Sequence, residues 1–149
     1  AIHEMSYEDI KRMDASNVDG QDNTNQETDT TSGVADESLV SPDTWHHDFA
    51  LLSRPGNDAI QLALFRDYAT NPPMYPALHE YLRRCQPPLL AVWGKGDEIF
   101  GPEGARAFAE DVPDAEIHLL DGGHFLLESA GDDVAELIRD FMSRATVTR

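Results

Sequence analysis

The chain is short of cysteine, of positive charge and of long apolar runs. Its one cysteine, Cys85, cannot form an internal disulfide, which fits a reducing compartment. With no His or Asn partner placed beside it, Cys85 reads as a structural residue closing an apolar helix stripe rather than as a nucleophile. Eleven Lys and Arg stand against 28 Asp and Glu, for a net charge of −17, and the pair Arg83-Arg84 is the largest basic patch. Phosphate binding needs far more, so nucleic acid is excluded as a partner. No stretch reaches the ~20 apolar residues of a membrane span, and no basic-then-apolar leader opens the chain, so no membrane partner is expected and the cytoplasm is the default location. His46-His47-Asp48 is the only suggestion of a metal set. Adjacent helical residues point apart and no second cluster completes a site, so neither a metal nor a cofactor is expected. Gly94-Lys95-Gly96 matches neither the P-loop spacing nor G-x-G-x-x-G. Finally, no turn of the form G-x-S-x-G, or its variant with Asp or Cys at the centre, occurs in the 149 residues.

What is present is unevenly spread. Residues 1–48 carry −10 of the −17, and the apolar runs lie after residue 44. Ser6 to Met13 has a capping-box-like start and a short apolar face. Asp14 to Glu37 has almost no large apolar residue, too few to offset chain entropy, and predicts a mobile segment. Ser41-Pro42 then opens a helix with Trp45, Phe49 and Leu52 at helical spacing, ended by Arg54-Pro55-Gly56. Asn57 is placed to cap the next, Asp58 to Ala69, and a third runs from about Pro76 to Arg84 with Leu78, Tyr81, Leu82 and Cys85 on one face.

Past Pro87-Pro88 the pattern changes to short apolar runs, Leu89 to Trp93 and Ala115 to Leu120. A helix lies between them, with Ala105, Phe108, Ala109 and Val112 at i, i+3, i+4 and i+7. A last helix follows, with Asp132 and Asp133 at its start and Val134, Leu137, Ile138, Phe141 and Met142 as its stripe. Strand, helix, strand predicts a parallel pair whose carboxyl ends share one rim, the edge where α/β sheets place their chemistry. Asp97 follows the first strand and His124 the second, so the rim receives a carboxylate and an imidazole. A carboxylate that orients an imidazole and stabilises its cation is the acid–base half of a nucleophilic triad. Ile99 and Phe125, flanking that pair, are candidate substrate-binding residues; His118 alternates with Ile117 and Leu119 and belongs to the opposite strand face.

Ser41-Pro42-Asp43, Leu51 to Asn57, Pro87 to Asp97 and Leu120 to Glu128 together resemble the C-terminal half of α/β-hydrolase-fold enzymes. Within that family they are most similar to the bacterial and fungal branch of epoxide hydrolases and haloalkane or haloacetate dehalogenases. The resemblance covers Ser41 to Arg144. It implies an α/β class and a partial α/β-hydrolase fold: the last two parallel strands with flanking helices, preceded by lid helices. In domain terms it implies a mobile lid remnant over 1–40, lid and connecting helices over 41–85, and the C-terminal part of the core over 86–149. It also implies that Asp97 is the triad acid and His124 the base of a hydrolase acting on a small organic substrate such as an epoxide, haloacid or ester. The nucleophile elbow and the oxyanion-hole loop of that family have no counterpart here. The chain therefore reads as the back half of an enzyme, inactive alone, and its first residue, Ala1, agrees with that. The alternative is a truncated, non-catalytic remnant or interaction module. Substrate, nucleophile and oligomeric state stay open.

Overall fold

The computed structural model describes residues 30–145, so the helix expected at Ser6 to Met13 and the polar run up to residue 29 lie outside it. The described residues form two compact units. Pro42–Tyr75 belongs to one, and the segment ending at Ser41 together with Pro76 onward makes the other.

The first unit is helical. Helix α1 spans Pro42–Leu52 and buries Trp45, a core position. Helix α2 spans Asn57–Tyr68 and leaves Ile60, Leu64 and Phe65 exposed. Asn57 is not the cap that the sequence predicts. Gly56, at φ 82°, takes the N-cap position, and Asn57 Nδ2 instead donates to the Leu52 carbonyl at 3.0 Å, satisfying an unpaired carbonyl at the end of α1. A 3₁₀ turn, Pro72–Met74, follows, and the hydroxyls of Tyr68 and Tyr75 lie 3.1 Å apart.

The second unit holds helix α3, Tyr75–Cys85, from Pro76 on, then strand β1, Leu90–Gly94, helix α4, Glu103–Asp111, strand β2, Glu116–Leu120, and helix α5, Leu126–Ala145. The strands pair in parallel with Leu90 opposite Glu116 and Gly94 opposite Leu120. The ladder runs past the strand ends, since Lys95 N donates to Leu120 O at 2.8 Å and Gly96 N to Gly122 O at 2.9 Å. Helices α4 and α5 both pack on β1. Ala105 of α4 is fully buried, so any larger side chain there overpacks the core at a cost of about 1–3 kcal/mol. Helix α5 begins earlier than the sequence predicts and kinks at Ala130 (φ −137°, ψ 30°), so Asp132 and Asp133 stand just after the kink. Its stripe is only partly covered: Val134 is buried, whereas Ile138 and Met142 are exposed. At its far end Arg144 reaches Glu116 of β2 and Asp140, each at 2.5 Å.

Helix α3, placed with the lid as part of 41–85, lies from Pro76 on in the unit of the sheet. The link is polar as well as apolar. Leu82 is buried, and the side chain of Gln86, at φ 43°, donates to the carbonyls of Leu82, Arg83 and Asp111, capping α3 and joining it to the end of α4. Cys85 is exposed and closes no buried stripe, and Leu78 and Tyr81 are exposed with it. Within the 1–40 segment the described residues from Thr30 on are packed. Thr30, Thr31 and Val40 are buried, and Glu37–Leu39 forms a 3₁₀ turn with Asp36 as its side-chain cap. Composition weighs apolar area and misses small residues that pack backbone against backbone.

Candidate active site

Both strands end in glycine-containing loops because the loops approach each other too closely for side chains. A Cβ on Gly94 would meet Gly123 O at 2.3 Å and Gly122 O at 2.6 Å. That approach brings the residues that follow, Asp97 and His124, to one rim. Asp97 is 7% exposed. Its Oδ1 accepts the backbone N–H of Ile99 at 3.0 Å and of Phe100 at 2.8 Å, an Asx-type turn that fixes the carboxylate. His124 Nδ1 lies 3.1 Å from Asp97 Oδ2 and 3.2 Å from Oδ1. Two amides already donate to this carboxylate, which as an ion has no proton of its own to give, so Nδ1 carries the proton and donates. Nε2 is then the basic nitrogen.

The imidazole has aromatic neighbours on two sides. The ring of Phe100 lies 5.2 Å from it, tilted by 55°, and the ring of Phe125 lies 5.1 Å from it, edge-on at 88°. Trp93 Nε1 donates to Phe100 O at 2.7 Å and so ties the loop after Asp97 back to β1. Beside His124 opens a cavity of about 570 Å³ whose wall includes Trp93, Phe100, Phe125, Val134 and Ile138. That volume is in the range of small-molecule sites, and a mostly apolar wall with one convergent polar pair is how such sites are built.

The sequence-predicted residues divide. Asp97, His124 and Phe125 meet at the cavity. Ile99 does not line it: its side chain is 50% exposed, and its contribution is the backbone N–H that holds Asp97. Phe100 takes the place expected of Ile99, one residue further along the turn. The sequence held the signal, an aromatic residue directly after Ile99, but not the turn that selects between the two. His118 is on β2 with Nε2 2.8 Å from Glu116 Oε1, two residues before it on the same strand face. Hydrogen bonds from His118 and Arg144 hold the Glu116 carboxyl below its ordinary value. Among the described residues no group of three or more His, Cys, Asp or Glu is arranged to hold a metal, and no helix is long and apolar enough to cross a membrane.

Comparison with known proteins places this geometry in a family. A model of the α/β hydrolase fold matches residues 19–130. An uncharacterized hydrolase of Saccharomyces cerevisiae is 41% identical over 106 residues, 71% of this chain and 37% of the yeast protein. A cis-3-alkyl-4-alkyloxetan-2-one decarboxylase of Shewanella oneidensis is 37% identical over 57 residues, 38% of this chain and 18% of that protein. A monoacylglycerol lipase of Mus musculus is 28% identical over 68 residues, 45% of this chain and 20% of that protein. The chain thus spans well under half the length of each relative. With the family model matching more than half of its residues, and with two parallel strands flanked by helices, the chain belongs to the α/β-hydrolase-fold family.

Proposed function

We propose that Asp97 and His124 are the acid and base of a hydrolase triad, and that the complete enzyme acts on a small organic substrate such as an epoxide, a haloacid or an ester. The observation that carries this is the Nδ1–carboxylate contact of 3.1 Å at the strand ends, with the imidazole against an apolar cavity. Asp97 fixes the tautomer and stabilises the imidazolium; Nε2 of His124 takes the proton. Nucleophile and oxyanion donors come from residues outside this chain, which by itself holds an acid–base pair and turns nothing over.

The resemblance to epoxide hydrolases and dehalogenases favours an aspartate nucleophile, and the cavity wall accommodates the apolar group such a substrate carries. Phe100 and Phe125 stand against the imidazole and Trp93 adds to the cavity wall, a surface suited to an apolar alkyl group. In that chemistry a carboxylate oxygen attacks the substrate carbon and an enzyme ester forms, as the C–halogen bond breaks to release halide or the epoxide C–O bond breaks and its oxygen takes up a proton from water. His124 then takes a proton from the water that attacks the ester carbonyl and gives it to the departing alcohol oxygen, and loss of a proton to solvent restores the carboxylate. With a serine nucleophile, His124 acts one step earlier, on the hydroxyl.

The test is mass spectrometry on the complete protein carrying His124→Ala, mixed with an epoxide, a haloacid or a p-nitrophenyl ester. An alkyl adduct that accumulates and does not clear is the expected result. Absence of any adduct together with loss of turnover assigns the serine route instead, and near wild-type turnover rejects the roles of both residues. The second reading, a non-catalytic remnant, draws on the exposure of Ile138, Leu127 and Phe125 in this chain. Turnover of any of the three substrates by the complete protein rejects it.

A further inference from the structure

Three glycines meet where the polar segment before α1 touches the rim. Gly33 has φ 76°, and a Cβ on it would stand 1.9 Å from Gly96 O and 3.0 Å from Gly123 Cα. A Cβ on Gly96 would stand 2.4 Å from Gly33 O, and one on Gly123 would stand 1.7 Å from Ser32 O. The turn is closed by Val34 N donating to Thr31 O at 3.0 Å, and Thr30 is 3% exposed. Ser32 Oγ donates to Glu98 Oε2 at 3.1 Å. Gly96 immediately precedes Asp97, Gly123 immediately precedes His124, and Glu98 immediately follows Asp97. One turn from a segment more than sixty residues away is therefore in van der Waals contact with the backbone on which each member of the pair is mounted.

We propose that the turn Thr31–Val34 is a positioning clamp that holds the loops of Asp97 and His124 at hydrogen-bonding distance. The inference rests on the acid–base reading of that pair. The physical basis is that the two loops join through few bonds of their own. Lys95 N donates to Leu120 O at 2.8 Å, Gly96 N to Gly122 O at 2.9 Å and Lys95 Nζ to Asp121 Oδ1 at 2.8 Å, and past Gly96 and Gly122 the bond that joins the loops is the one between Asp97 and His124 themselves. A shift of about an ångström at either loop breaks the Nδ1–carboxylate bond, since interactions weaken steeply past normal hydrogen-bond distances. The clamp supplies a third surface against which both loops rest, and close contact is possible only because all three positions lack Cβ. Gly33 has a second constraint, because a positive φ is strained for nearly every other residue. Ser32, Gly33, Gly96 and Gly123 act on the pair without facing the cavity wall, so they are positioning residues, not catalytic ones.

The tautomer of His124 reads the clamp directly. In the uniformly ¹⁵N-labelled full chain at about pH 8.5, above the ordinary imidazole value of about 6.5, long-range ¹H–¹⁵N correlation should show His124 protonated at Nδ1. The signal is assigned by its loss in His124→Gln. Gly33→Ala should lower the ratio of Nδ1–H to Nε2–H at least about ten-fold, the order set by losing a hydrogen bond to a charged acceptor. Gly104→Ala on α4, where a Cβ meets nothing within 4 Å, should leave the ratio unchanged. If Gly33→Ala does not fold, Ser32→Ala carries the test: exchange of the Gly96 amide should accelerate about three-fold, as for one modest hydrogen bond, with the amides of α4 unaffected. A wild-type tautomer ratio in folded Gly33→Ala, or unchanged Gly96 exchange in Ser32→Ala, overturns the clamp and leaves the acid–base pair standing. A wild-type chain that lacks the Nδ1–H form overturns the pair itself, and the clamp with it.

Discussion

Among its described residues the sheet-bearing unit contains two aspartate–histidine pairs, and only one of them is built like a site. Asp97 and His124 stand at the ends of parallel strands; the carboxylate is buried and held by two backbone N–H groups, and the 24% exposed imidazole borders the cavity. Asp111 and His79 join the end of α4 to α3. There the carboxylate is also buried, but its histidine is 52% exposed, and neither residue lines the cavity. Asp111 has a cation of its own as well: Arg83 Nε lies 2.7 Å from Oδ1, a charge contact rather than an aligned hydrogen bond. A carboxylate paired with an imidazole therefore indicates chemistry only when the free ring nitrogen meets a place for substrate. With a competing guanidinium and a solvent-facing ring, the same two residue types make a cross-brace between helices.

Activity should separate the pairs most widely. In the complete enzyme, His124→Ala is expected to lower kcat by roughly 10⁴-fold, the scale of losing a triad base. His79→Ala should stay within about two-fold, as for a residue remote from the chemistry. Comparable losses in the two variants would erase the distinction drawn above. Asp97→Asn comes next, with a loss of about 10³ to 10⁴-fold, because an amide can hold the wrong tautomer and cannot stabilise the imidazolium. Asp111→Asn tests the other side, and turnover measured below its melting temperature should change little.

The contrast was only partly legible in the sequence. Apolar runs ending in Trp93 and Leu120 with a 3.6-residue pattern between them were enough to place Asp97 and His124 on one rim, since strand–helix–strand connections leave few alternatives. Asn57 was misassigned as a cap because Asn suits both that role and the backbone contact it makes with Leu52. Ile99 and Phe100 could not be told apart without the turn that aims them. The Asp111 brace had no local signal at all: His79, Arg83 and Gln86 are spaced for one side of a helix, but their partner is more than twenty residues away. The packing of Ser32 and Gly33 was hidden by a segment whose composition argued for mobility.

A smaller effect, on the walls of the cavity, sharpens the picture of the proposed acid–base pair. Phe100→Ala removes the tilted ring beside His124 while leaving the backbone N–H and carbonyl of residue 100 to bond Asp97 and Trp93. The expected result in the complete enzyme is a rise in KM for apolar substrates of about two- to ten-fold, the worth of a partly buried aromatic contact of about 0.5–1.5 kcal/mol, with kcat reduced less. A fall in kcat with KM unchanged would instead make Phe100 part of the positioning of His124.

The smallest expected effect is on stability at acid pH, and it isolates the brace. The hydrogen bond from His79, aided by the positive charges of Arg83 and His79, holds the Asp111 carboxyl below its ordinary value of 3.8. On acidification the unfolded chain takes up its proton at that position first, so protonation favours unfolding. The stabilisation is complete above about pH 4 and is lost as pH falls through the lowered value. Melting temperature against pH should therefore drop below about pH 4 in the wild-type chain and drop less steeply in Asp111→Asn, which starts lower at neutral pH. The slope that remains has a named source, because Glu116, bonded to His118 and Arg144, is lowered from 4.5 in the same direction. Asp111→Asn combined with Glu116→Gln should flatten the acid limb further. An acid limb identical in wild type and Asp111→Asn would mean that His79 and Arg83 hold no more charge on Asp111 in the folded chain than in the unfolded one, and the brace would reduce to packing.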